Sequence, residues 1–364
     1  MKILLVVGGY GTRFWPASRR KNPKQHQKVV HNRKTLVQLK LQYLLLGFKP
    51  TDIFVITGGR YEKELRRQLS VIPKRNFIFE PMMKDTAPAV GLGLIKIAAA
   101  FPDEVVSIQW SDHLIRKPKA FIKALKAGEE LAKESGRDLI VGVRPASPSV
   151  HKGYIKAGRK IRELDPGYGV ELHQFIKFVE KPDLNTARKY LLSGDYFWNT
   201  GYFIVHTSRV LEKYSKSVPE MYKGLSKIMK SIGTPTEAET TRKVYAGLDK
   251  QAFDYAYAER LKPTEAFLLC ADMDWHDVGE WNSLKEALGK EPEGNVVKGM
   301  ARDLECQNCL IFNYEKNKLV TGIDLKDMVV VNTPDALLVC PQDSVAKIKK
   351  LLKTFEGTRL EKFI

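Results

Sequence analysis

The sequence predicts an α/β fold, with a Rossmann-like open sheet followed by a small C-terminal β-roll. In the first half of the chain, short apolar strands alternate with segments of helical periodicity, which indicates a sheet covered by helices on both faces. From Gly294 onward, short strands follow one another without intervening helices. Because 364 residues exceed one ordinary core, we expect a large α/β domain at 1–290 and a small β module at 291–364 that ends in a helix.

Each element rests on a local pattern. Ile3 to Val7 is an unbroken apolar run that predicts a first strand buried on both faces. Further strands are predicted at 53–57, 77–79, 105–109 and 139–143, and helices at 35–46, 61–69, 86–101 and 121–134. After Pro148, strands interrupted by Gly, Pro and Tyr precede helices at 184–192, 207–214, 219–232 and 237–246. The C-terminal strands are predicted at 296–297, 309–312, 318–320, 328–331 and 336–339, and the last helix at 345–355.

A glycine-rich loop follows the first strand. Gly8, Gly9 and Gly11 lack a Cβ, so the backbone there can approach a phosphate closely and point its N–H groups toward it. Four cationic side chains in the same segment can donate to phosphate oxygens: Arg13, Arg19, Arg20 and Lys24. The chain therefore begins with a predicted polyphosphate-binding loop.

Two commoner glycine loops do not fit this segment. A dinucleotide-binding fingerprint requires a third glycine where this chain has Phe14, and an acidic residue about 20 positions later that is absent. A Walker loop requires Gly-Lys-Ser/Thr, which does not follow. An ordinary turn between a strand and a helix remains the structural alternative.

Composition limits the other classes of partner. The net charge is +18, but the basic residues are spread along the chain, and their local runs carry no interleaved aromatic residues that could stack on bases. No apolar run reaches membrane-spanning length, and Met1 leads directly into the first strand. We expect a cytoplasmic protein that binds neither nucleic acid nor membrane. The four cysteines receive no role, because Cys306 and Cys309 lack the second pair that a zinc site needs.

Two carboxylates follow predicted strands. Asp112 comes directly after the strand at 105–109, and Asp277 comes after the apolar run 266–269. Carboxylates at the carboxyl ends of strands, close to an anion-binding loop, can hold a divalent cation between phosphate oxygens. For either aspartate alone, a turn or helix cap is the simpler interpretation.

Two further segments carry polar groups suited to small-molecule recognition. Glu180-Lys181-Pro182 places a carboxylate that can accept sugar hydroxyls beside an ammonium that can bind phosphate, although a surface ion pair would look the same. Asn199, in Trp198-Asn199-Thr200-Gly201, offers a donor and an acceptor to vicinal hydroxyls, or it stabilises a turn.

Taken whole, the pattern Gly-Gly-x-Gly-Thr-Arg-x-x-Pro-x-Ser-Arg-x-x-x-Pro-Lys-Gln resembles the signature of the sugar-1-phosphate nucleotidylyltransferases, and its wording is closest to the mannose-1-phosphate guanylyltransferases. The later motifs match in order over nearly the whole chain, including Asp254-Tyr255-Ala256. The resemblance implies a Rossmann-like open mixed sheet with a short left-handed β-helix-like C-terminal module. It also implies Mg²⁺ as cofactor and a homodimer.

The reaction implied is attack of the phosphate oxygen of mannose 1-phosphate on the α-phosphorus of GTP, giving GDP-mannose and pyrophosphate. Carried over residue by residue, the resemblance implies Arg13, Lys24 and Lys181 as catalytic residues, and Asp112 and Asp277 as metal ligands. It implies sugar binding by Gly153, Glu180 and Asn199, and nucleotide binding by Gly8, Gly9, Gly11, Thr12, Glu80, Asp85, Thr86 and Ala87.

This chain departs from the family pattern at three places. Lys84-Asp85 replaces Arg-Asn, Trp110-Ser111 replaces Pro-Ala, and only Gly153-Tyr154-Ile155 remains of a sugar-proximal Thr-Gly-Tyr-Gly-Tyr-Ile segment, after Val150-His151-Lys152. The same chemistry on another sugar 1-phosphate, such as a heptose, or with another NTP is therefore an alternative. A non-catalytic, sugar-nucleotide-sensing regulatory paralogue is an alternative of another class.

Overall fold

The computed structural model describes residues 1–30, 33–289, 291 and 293–364. The chain forms two compact units that alternate along the sequence. The sheet unit comprises Met1–Gly8, Leu41–Ser111 and Ile115–Trp275, and the loop unit comprises Gly9–Lys40, Asp112–Leu114 and His276–Ile364. The division of the sequence at residue 290 stays a prediction, because these units are not consecutive segments.

Strands and helices alternate up to residue 143, as the sequence predicts, except that a short strand at 113–115 directly follows the strand at 105–110. The strands are β1 (Lys2–Val7), β2 (Ile53–Gly58), β3 (Phe77–Glu80), β4 (Val105–Trp110), β5 (His113–Ile115), β6 (Asp138–Val143), β7 (Tyr154–Asp165), β8 (Val170–Val179), β9 (Tyr196–His206), β10 (Ala266–Cys270) and β11 (Trp275–Asp277). The helices are α1 (Leu36–Leu44), α2 (Glu62–Gln68), α3 (Thr86–Ala100), α4 (Pro118–Ser135), α5 (Leu184–Ser193), α6 (Thr207–Ser217), α7 (Pro219–Ser231), α8 (Glu237–Ala246), α9 (Phe253–Ala256) and α10 (Trp281–Leu288).

A nine-stranded mixed sheet in the order β3-β2-β1-β4-β9-β6-β10-β8-β7 forms the centre of the sheet unit. The pairs β3–β2, β2–β1, β1–β4 and β6–β10 are parallel. The long strand β9 is antiparallel to β4, β6 and β7, and β8 is antiparallel to β10 and β7. The predicted α/β class and the mixed sheet are therefore confirmed.

The core of the sheet unit surrounds the central strands and α3. In β1, Ile3, Leu4, Leu5 and Val7 are fully buried, as expected for a strand covered on both faces. Helix α3 begins at a cap in which the Asp85 carboxylate accepts a hydrogen bond of 2.7 Å from the Thr86 N–H, which satisfies one of the donors that a helix start leaves unpaired.

The long antiparallel pair β7–β8 was not resolved into individual strands by the sequence. In β7 the stretch 159–163 is exposed and rich in charge, so it lacks the apolar alternation that marks a half-buried strand. Strands β5 and β11 pair in a two-stranded sheet, and each is only three residues long, which is too short for a periodic pattern.

The C-terminal part of the loop unit is a roll of short strands, as predicted. It contains β12 (Val296–Lys298), β13 (Ala301–Leu304), β14 (Leu310–Asn313), β15 (Val320–Ile323), β16 (Met328–Asn332), β17 (Leu337–Pro341) and α11 (Ile348–Lys353). One sheet has the order β12-β14-β16-β17 and the other pairs β13 with β15. All pairs are parallel except β16–β17, which is antiparallel. Strand β13 was missed because three of its four residues are exposed.

An apolar core in the loop unit joins the glycine-loop segment to the C-terminal roll. Phe14, Trp15 and Trp281 lie in the same buried cluster as side chains from β12, β14, β16, β17 and α11. The Trp15 indole N–H also donates to the Phe363 carbonyl oxygen at 2.8 Å. Within the described ranges, no helix has the length and apolar character that crossing a bilayer requires.

Candidate active site

The glycine loop has the backbone geometry that only glycine adopts readily. Gly9 and Gly11 have φ of +83° and +61°. The Gly11 carbonyl oxygen accepts hydrogen bonds from the Phe14 N–H at 2.8 Å and from the Ser18 hydroxyl at 2.5 Å. A Cβ on Gly11 would lie 2.6 Å from Cγ of Lys24. Gly11 is therefore required both by its backbone conformation and by the close approach of Lys24. Thr12 begins the single 3₁₀ turn Thr12–Phe14 that follows.

Lys24 lies at the centre of the polar cluster in the loop unit. Its side chain is only 8% exposed, and its ammonium forms a 2.7 Å ion pair with Asp112 and donates to the Val278 carbonyl oxygen at 2.8 Å. Burial opposes ionisation of Asp112, but the charges of Lys24 and His113 outweigh it and lower the pKa of this carboxyl to about 2. Asp112 is therefore an anion at neutral pH.

His113 brings the two predicted metal ligands together. Its Nε2 lies 3.8 Å from a carboxylate oxygen of Asp112 and 3.9 Å from one of Asp277. Burial lowers the pKa of this imidazole, the charges of Asp112 and Asp277 oppose the shift, and those of Lys40 and Lys24 add to it. Two carboxylates from distant parts of the sequence thus lie around one imidazole.

Lys40 is a second buried lysine near Asp112, and sequence reasoning missed it. It is fully buried, and burial holds the pKa of its ammonium well below the usual range although the charge of Asp112 opposes this. The sequence pattern could have indicated that Lys40 is buried. Lys40 follows the buried Leu36 by four residues and so lies on the same apolar face of α1.

Arg13 is the more exposed of the two predicted catalytic residues in this unit. Its guanidinium forms a 2.9 Å ion pair with Glu280, and the Arg13 and Glu280 side chains are 44% and 13% exposed. A Cβ on Gly279 would meet both an oxygen of Asp277 at 3.3 Å and a nitrogen of Arg13 at 3.4 Å. Arg13 therefore lies beside Asp277, and Glu280 is a further residue that the sequence did not single out.

Arg19 and Arg20 form ion pairs with carboxylates outside this cluster, and their donation to phosphate stays a prediction. Arg19 forms a 2.8 Å ion pair with Asp335, and Arg20 forms a 2.5 Å ion pair with Glu356 and a longer one with Glu361. These carboxylates belong to the C-terminal part of the loop unit. The two arginines therefore attach the glycine-loop segment to its own core.

In the sheet unit, Glu80 ends β3 and is buried. The Tyr245 hydroxyl donates a hydrogen bond to its carboxylate. Burial raises the pKa of Glu80 to about 7, although the hydrogen bond from Tyr245 opposes the shift. This carboxyl is therefore only partly ionised at neutral pH.

The predicted nucleotide segment continues from Glu80 into the start of α3. Asp85 has φ of +74° and caps the helix through Thr86. The Ala87 N–H donates to the Gln251 carbonyl oxygen at 2.9 Å, and the Thr86 hydroxyl oxygen accepts from the Phe253 N–H at 2.7 Å. The segment is thus held by side chains and backbone of α8, α9 and the turn between them.

The three predicted sugar-binding residues form a second cluster in the sheet unit. The Asn199 N–H donates to the Gly153 carbonyl oxygen at 2.8 Å. A Cβ on Gly153 would lie 2.6 Å from a carboxylate oxygen of Glu180 and 3.4 Å from Cβ of Asn199. The absence of a side chain at Gly153 thus lets Glu180 and Asn199 pack closely against its backbone. Asp254 joins them, because the Asn199 amide donates to its carboxylate at 3.2 Å.

Lys181 extends from the edge of this cluster. Its side chain is 55% exposed, it bonds to Glu180, and its φ of +45° is uncommon for a residue with a Cβ. Burial opposes the charged form, but the hydrogen bond and charge of Glu180 raise the pKa of Lys181. Lys181 is therefore a cation in the range where enzymes are assayed.

Lys152, at the departure from the family pattern, lies over two indole rings. Its ammonium is 3.4 Å from the ring centroid of Trp198 and 5.4 Å from that of Trp275. A cation thus lies next to Gly153 in the chain and against the ring that precedes Asn199.

The donor set of the loop unit fits a magnesium ion. Asp112 and Asp277 each turn one oxygen toward the same nitrogen of His113, and Asp112 is ionised. Among the residues that the structure describes, no group of three or more His, Cys, Asp or Glu side chains could hold a metal by itself. Magnesium commonly binds through one or two carboxylates together with substrate phosphates, so two aspartates are enough.

Comparisons with known proteins identify the families that this chain resembles. Residues 2–293 match the family model described as nucleotidyl transferase, and residues 299–355 match that of the MannoseP isomerase/GMP-like beta-helix domain. The mannose-1-phosphate guanylyltransferase of Salmonella montevideo is 30% identical over 353 residues, covering 96% of this chain and 73% of that protein. The xanthan biosynthesis protein XanB of Xanthomonas campestris pv. campestris is 32% identical over 363 residues, covering 97% and 73%.

A solved structure has a similar fold over almost its whole length. It comes from Thermus thermophilus and is described as a mannose-1-phosphate geranyltransferase. The TM-score is 0.85 at 28% sequence identity, and the match covers 98% of this chain and 99% of that one.

Proposed function

Because this chain belongs to the nucleotidyl transferase family and carries its GMP-like β-helix domain, we propose that it transfers GMP from GTP to mannose 1-phosphate, giving GDP-mannose and pyrophosphate. The observation that supports this most strongly is the loop-unit cluster, in which Lys24, Asp112 and Asp277 come from three distant segments. The names of the relatives support mannose 1-phosphate as the acceptor, and they give no support to a regulatory role.

The loop unit would bind the triphosphate. The backbone of Gly9 and Gly11 can approach phosphate oxygens, and Arg13 and Lys24 carry the positive charge that these oxygens need. Asp112 and Asp277 would hold Mg²⁺, which neutralises phosphate charge when bound. Lys24, whose ammonium is ion-paired with Asp112, lies directly beside the carboxylate that would hold the metal.

The sheet unit would bind the base and the sugar. The nucleotide would be contacted by Gly8, which follows β1, and by Glu80, Asp85, Thr86 and Ala87. Glu180 and Asn199, which pack against Gly153, would bind sugar hydroxyls, and Lys181 would bind the sugar's phosphate. Such a transfer depends chiefly on aligning two anions and stabilising charge in the transition state, which these groups can supply.

The test is a panel of GTP, ATP, UTP and dTTP against mannose 1-phosphate, glucose 1-phosphate and a heptose 1-phosphate, with pyrophosphate release as the readout. We expect the highest kcat/KM for GTP with mannose 1-phosphate, loss of turnover in EDTA, and recovery with Mg²⁺. A higher kcat/KM for another pair would replace the proposed substrates, and no turnover across the panel would overturn the enzymatic proposal.

The same assay tests Arg13. Because one lost transition-state donor typically costs about 100-fold or more in kcat, Arg13→Ala should show a loss of that size. Glu280→Gln is the matched variant, since it removes the charged partner of the guanidinium but keeps the guanidinium itself. An exposed ion pair is worth about 0.2–1 kcal/mol, so Glu280→Gln should lower the KM for GTP by up to about fivefold. Near-normal turnover in Arg13→Ala would exclude Arg13 from the mechanism.

A further inference from the structure

Residues 251–254 connect the two substrate-binding segments of the sheet unit. The Gln251 carbonyl oxygen accepts from Ala87, and the Phe253 N–H donates to Thr86, at the start of α3. The next residue, Asp254, accepts from the side-chain amide of Asn199 at 3.2 Å. One short segment therefore holds both the predicted nucleotide segment and a predicted sugar-binding side chain.

The contact with Asp254 decides which way the Asn199 amide faces. The amide oxygen of Asn199 accepts from the Gly201 N–H at 3.0 Å, and the amide nitrogen donates to Asp254. An ionised carboxylate can only accept and a backbone N–H can only donate, so a flipped amide would lose both bonds. These bonds use one N–H and one oxygen lone pair, which leaves the amide's second N–H and second lone pair in a fixed direction.

The surroundings of Asp254 are those of the sugar cluster. The charged groups that act on it are Glu180 and Lys181, the first two residues of the Glu-Lys-Pro motif. Burial, and then the charge of Glu180, raises the pKa of Asp254 to about 6, so this carboxyl is still mostly ionised at pH 7.5. Asp254 therefore remains an acceptor under ordinary assay conditions.

We propose that Asp254 is a positioning residue for the sugar phosphate, which fixes the Asn199 amide in the orientation that meets the sugar hydroxyls. This inference rests on the proposed function and adds to it a residue whose effect passes through Asn199. Glu180 differs from Asp254 in this respect, because its own carboxylate lies directly against Gly153.

The experiment measures KM and kcat for mannose 1-phosphate and for GTP at pH 7.5 in Asp254→Ala, Asp254→Asn, Asn199→Ala and the double variant Asp254→Ala/Asn199→Ala. Losing one such hydrogen bond in a buried network costs about tenfold, so Asp254→Ala should raise the KM for mannose 1-phosphate by about that factor and leave the KM for GTP unchanged. Asp254→Asn still offers a carbonyl oxygen and should stay within about threefold of wild type.

The double variant separates positioning from direct contact. If Asp254 acts through Asn199, the double variant should match Asn199→Ala, because the second change removes nothing further. Asp249→Ala is the control, since Asp249 is an exposed carboxylate five residues earlier in the same connection. Thermal unfolding of each variant checks that the fold is retained, and Asp254→Asn provides a second measurement if Asp254→Ala does not fold.

Three results would each overturn the inference. The first is a double variant in which the KM increases of the two single variants multiply. The others are seen in Asp254→Ala: an equal rise in the KM for GTP, or a normal KM for mannose 1-phosphate. Calorimetric binding of mannose 1-phosphate without nucleotide gives the same comparison independently of turnover. Failure of the proposed function would appear in the wild-type protein, as absence of both binding and turnover with this sugar phosphate, and that result would end the inference as well. Failure of the inference alone would appear only in the variants.

Discussion

Glu80 and Asp112 show how strongly the surroundings set the behaviour of chemically similar side chains. Asp112 lies against Lys24 and stays ionised to about pH 2, whereas Glu80, with only a tyrosine hydroxyl as its described hydrogen-bond donor, has a pKa of about 7. Burial opposes the charge of both carboxylates, and only Asp112 has a cation that outweighs it. The sequence marks both as acidic residues after strands and cannot distinguish them.

The raised pKa of Glu80 predicts a pH-dependent stability. The folded state favours the protonated carboxyl, so this contribution is fully present below about pH 4.5 and is lost as the pH rises through about 7. At about 1.4 kcal/mol per pKa unit, the free energy of unfolding should fall by up to about 3 kcal/mol over that range. Glu80→Gln should remove this decline and be more stable than wild type at pH 8, as measured by denaturant unfolding at pH 5 and pH 8.

Tyr245→Phe is the matched variant for this prediction. The Tyr245 hydroxyl bonds to the carboxylate and so lowers its pKa, and removing it should push the pKa higher and steepen the loss of stability toward pH 8. Parallel stability curves for wild type and Glu80→Gln would show that Glu80 titrates normally.

At the scale of elements, the glycine loop is held by its own neighbours. Lys24 packs against Gly11, Gln25 donates to the Gly9 carbonyl oxygen at 3.0 Å, and Ser18 donates to that of Gly11. The Pro-Lys-Gln end of the signature therefore shapes the loop as well as supplying a charge. Sequence reasoning found these residues through their pattern, but the packing between the two ends of the pattern depends on a fold that spacing alone does not specify.

Gly11→Ala tests this packing. The new Cβ would be strained at φ of +61° and would lie 2.6 Å from Cγ of Lys24, so Lys24 must move from Asp112. We expect a loss of stability of about 2–4 kcal/mol, the usual range for backbone strain combined with overpacking, and a loss of kcat/KM for GTP of about tenfold or more. Both are measured on the purified variant, by denaturant unfolding and by pyrophosphate release.

Gly194→Ala separates the two causes. Gly194 also has a positive φ, of +72°, but a Cβ there meets nothing within 4 Å. Gly194→Ala should therefore lose only about 1 kcal/mol of stability, from backbone strain, and its kinetics should be normal. Equal losses in both variants would show that the contact with Lys24 contributes little.

At the scale of the whole molecule, the C-terminal part of the chain packs with a segment near the N-terminus. The last strands and α11 lie in the same core as Phe14 and Trp15, so the roll is part of the structure that supports the glycine loop. Composition and strand pattern predicted the roll as a separate module. They could not predict this shared core, because only tertiary packing places Leu352 and Trp15 in the same cluster and no local pattern links them.

Two adjacent leucines of α11 test the shared core. Leu352 is 5% exposed and belongs to the core, whereas Leu351 is 41% exposed. Leu352→Ala should cost about 2–4 kcal/mol of stability, as for other buried leucines, and raise the KM for GTP, because the loop segment loses part of its support. Leu351→Ala should change neither property by much. Denaturant unfolding measures the stability of each variant, and steady-state kinetics measure the KM for GTP. If Leu352→Ala is destabilised but keeps a normal KM for GTP, the roll does not support the nucleotide-binding function of the glycine loop.

The predicted fold class was recoverable from the sequence because the alternation of strands and helices and the apolar runs such as Ile3 to Val7 are local signals. The site residues were predicted from sequence motifs, whereas the structure shows how they group into clusters. Lys40, Glu280 and Asp254 were missed as functional residues because their meaning lies in a partner distant in sequence: Asp112, Arg13 and Asn199.

The core shared by Trp15 and the C-terminal strands has a consequence for protein engineering. A chimera that takes the roll from one relative and the glycine-loop segment from another would cut through one packed interior, including the Arg19–Asp335 and Arg20–Glu356 ion pairs. A chimera should fold when Gly9–Lys40 and His276–Ile364 are taken from the same relative, although more than two hundred positions of sequence separate the two segments.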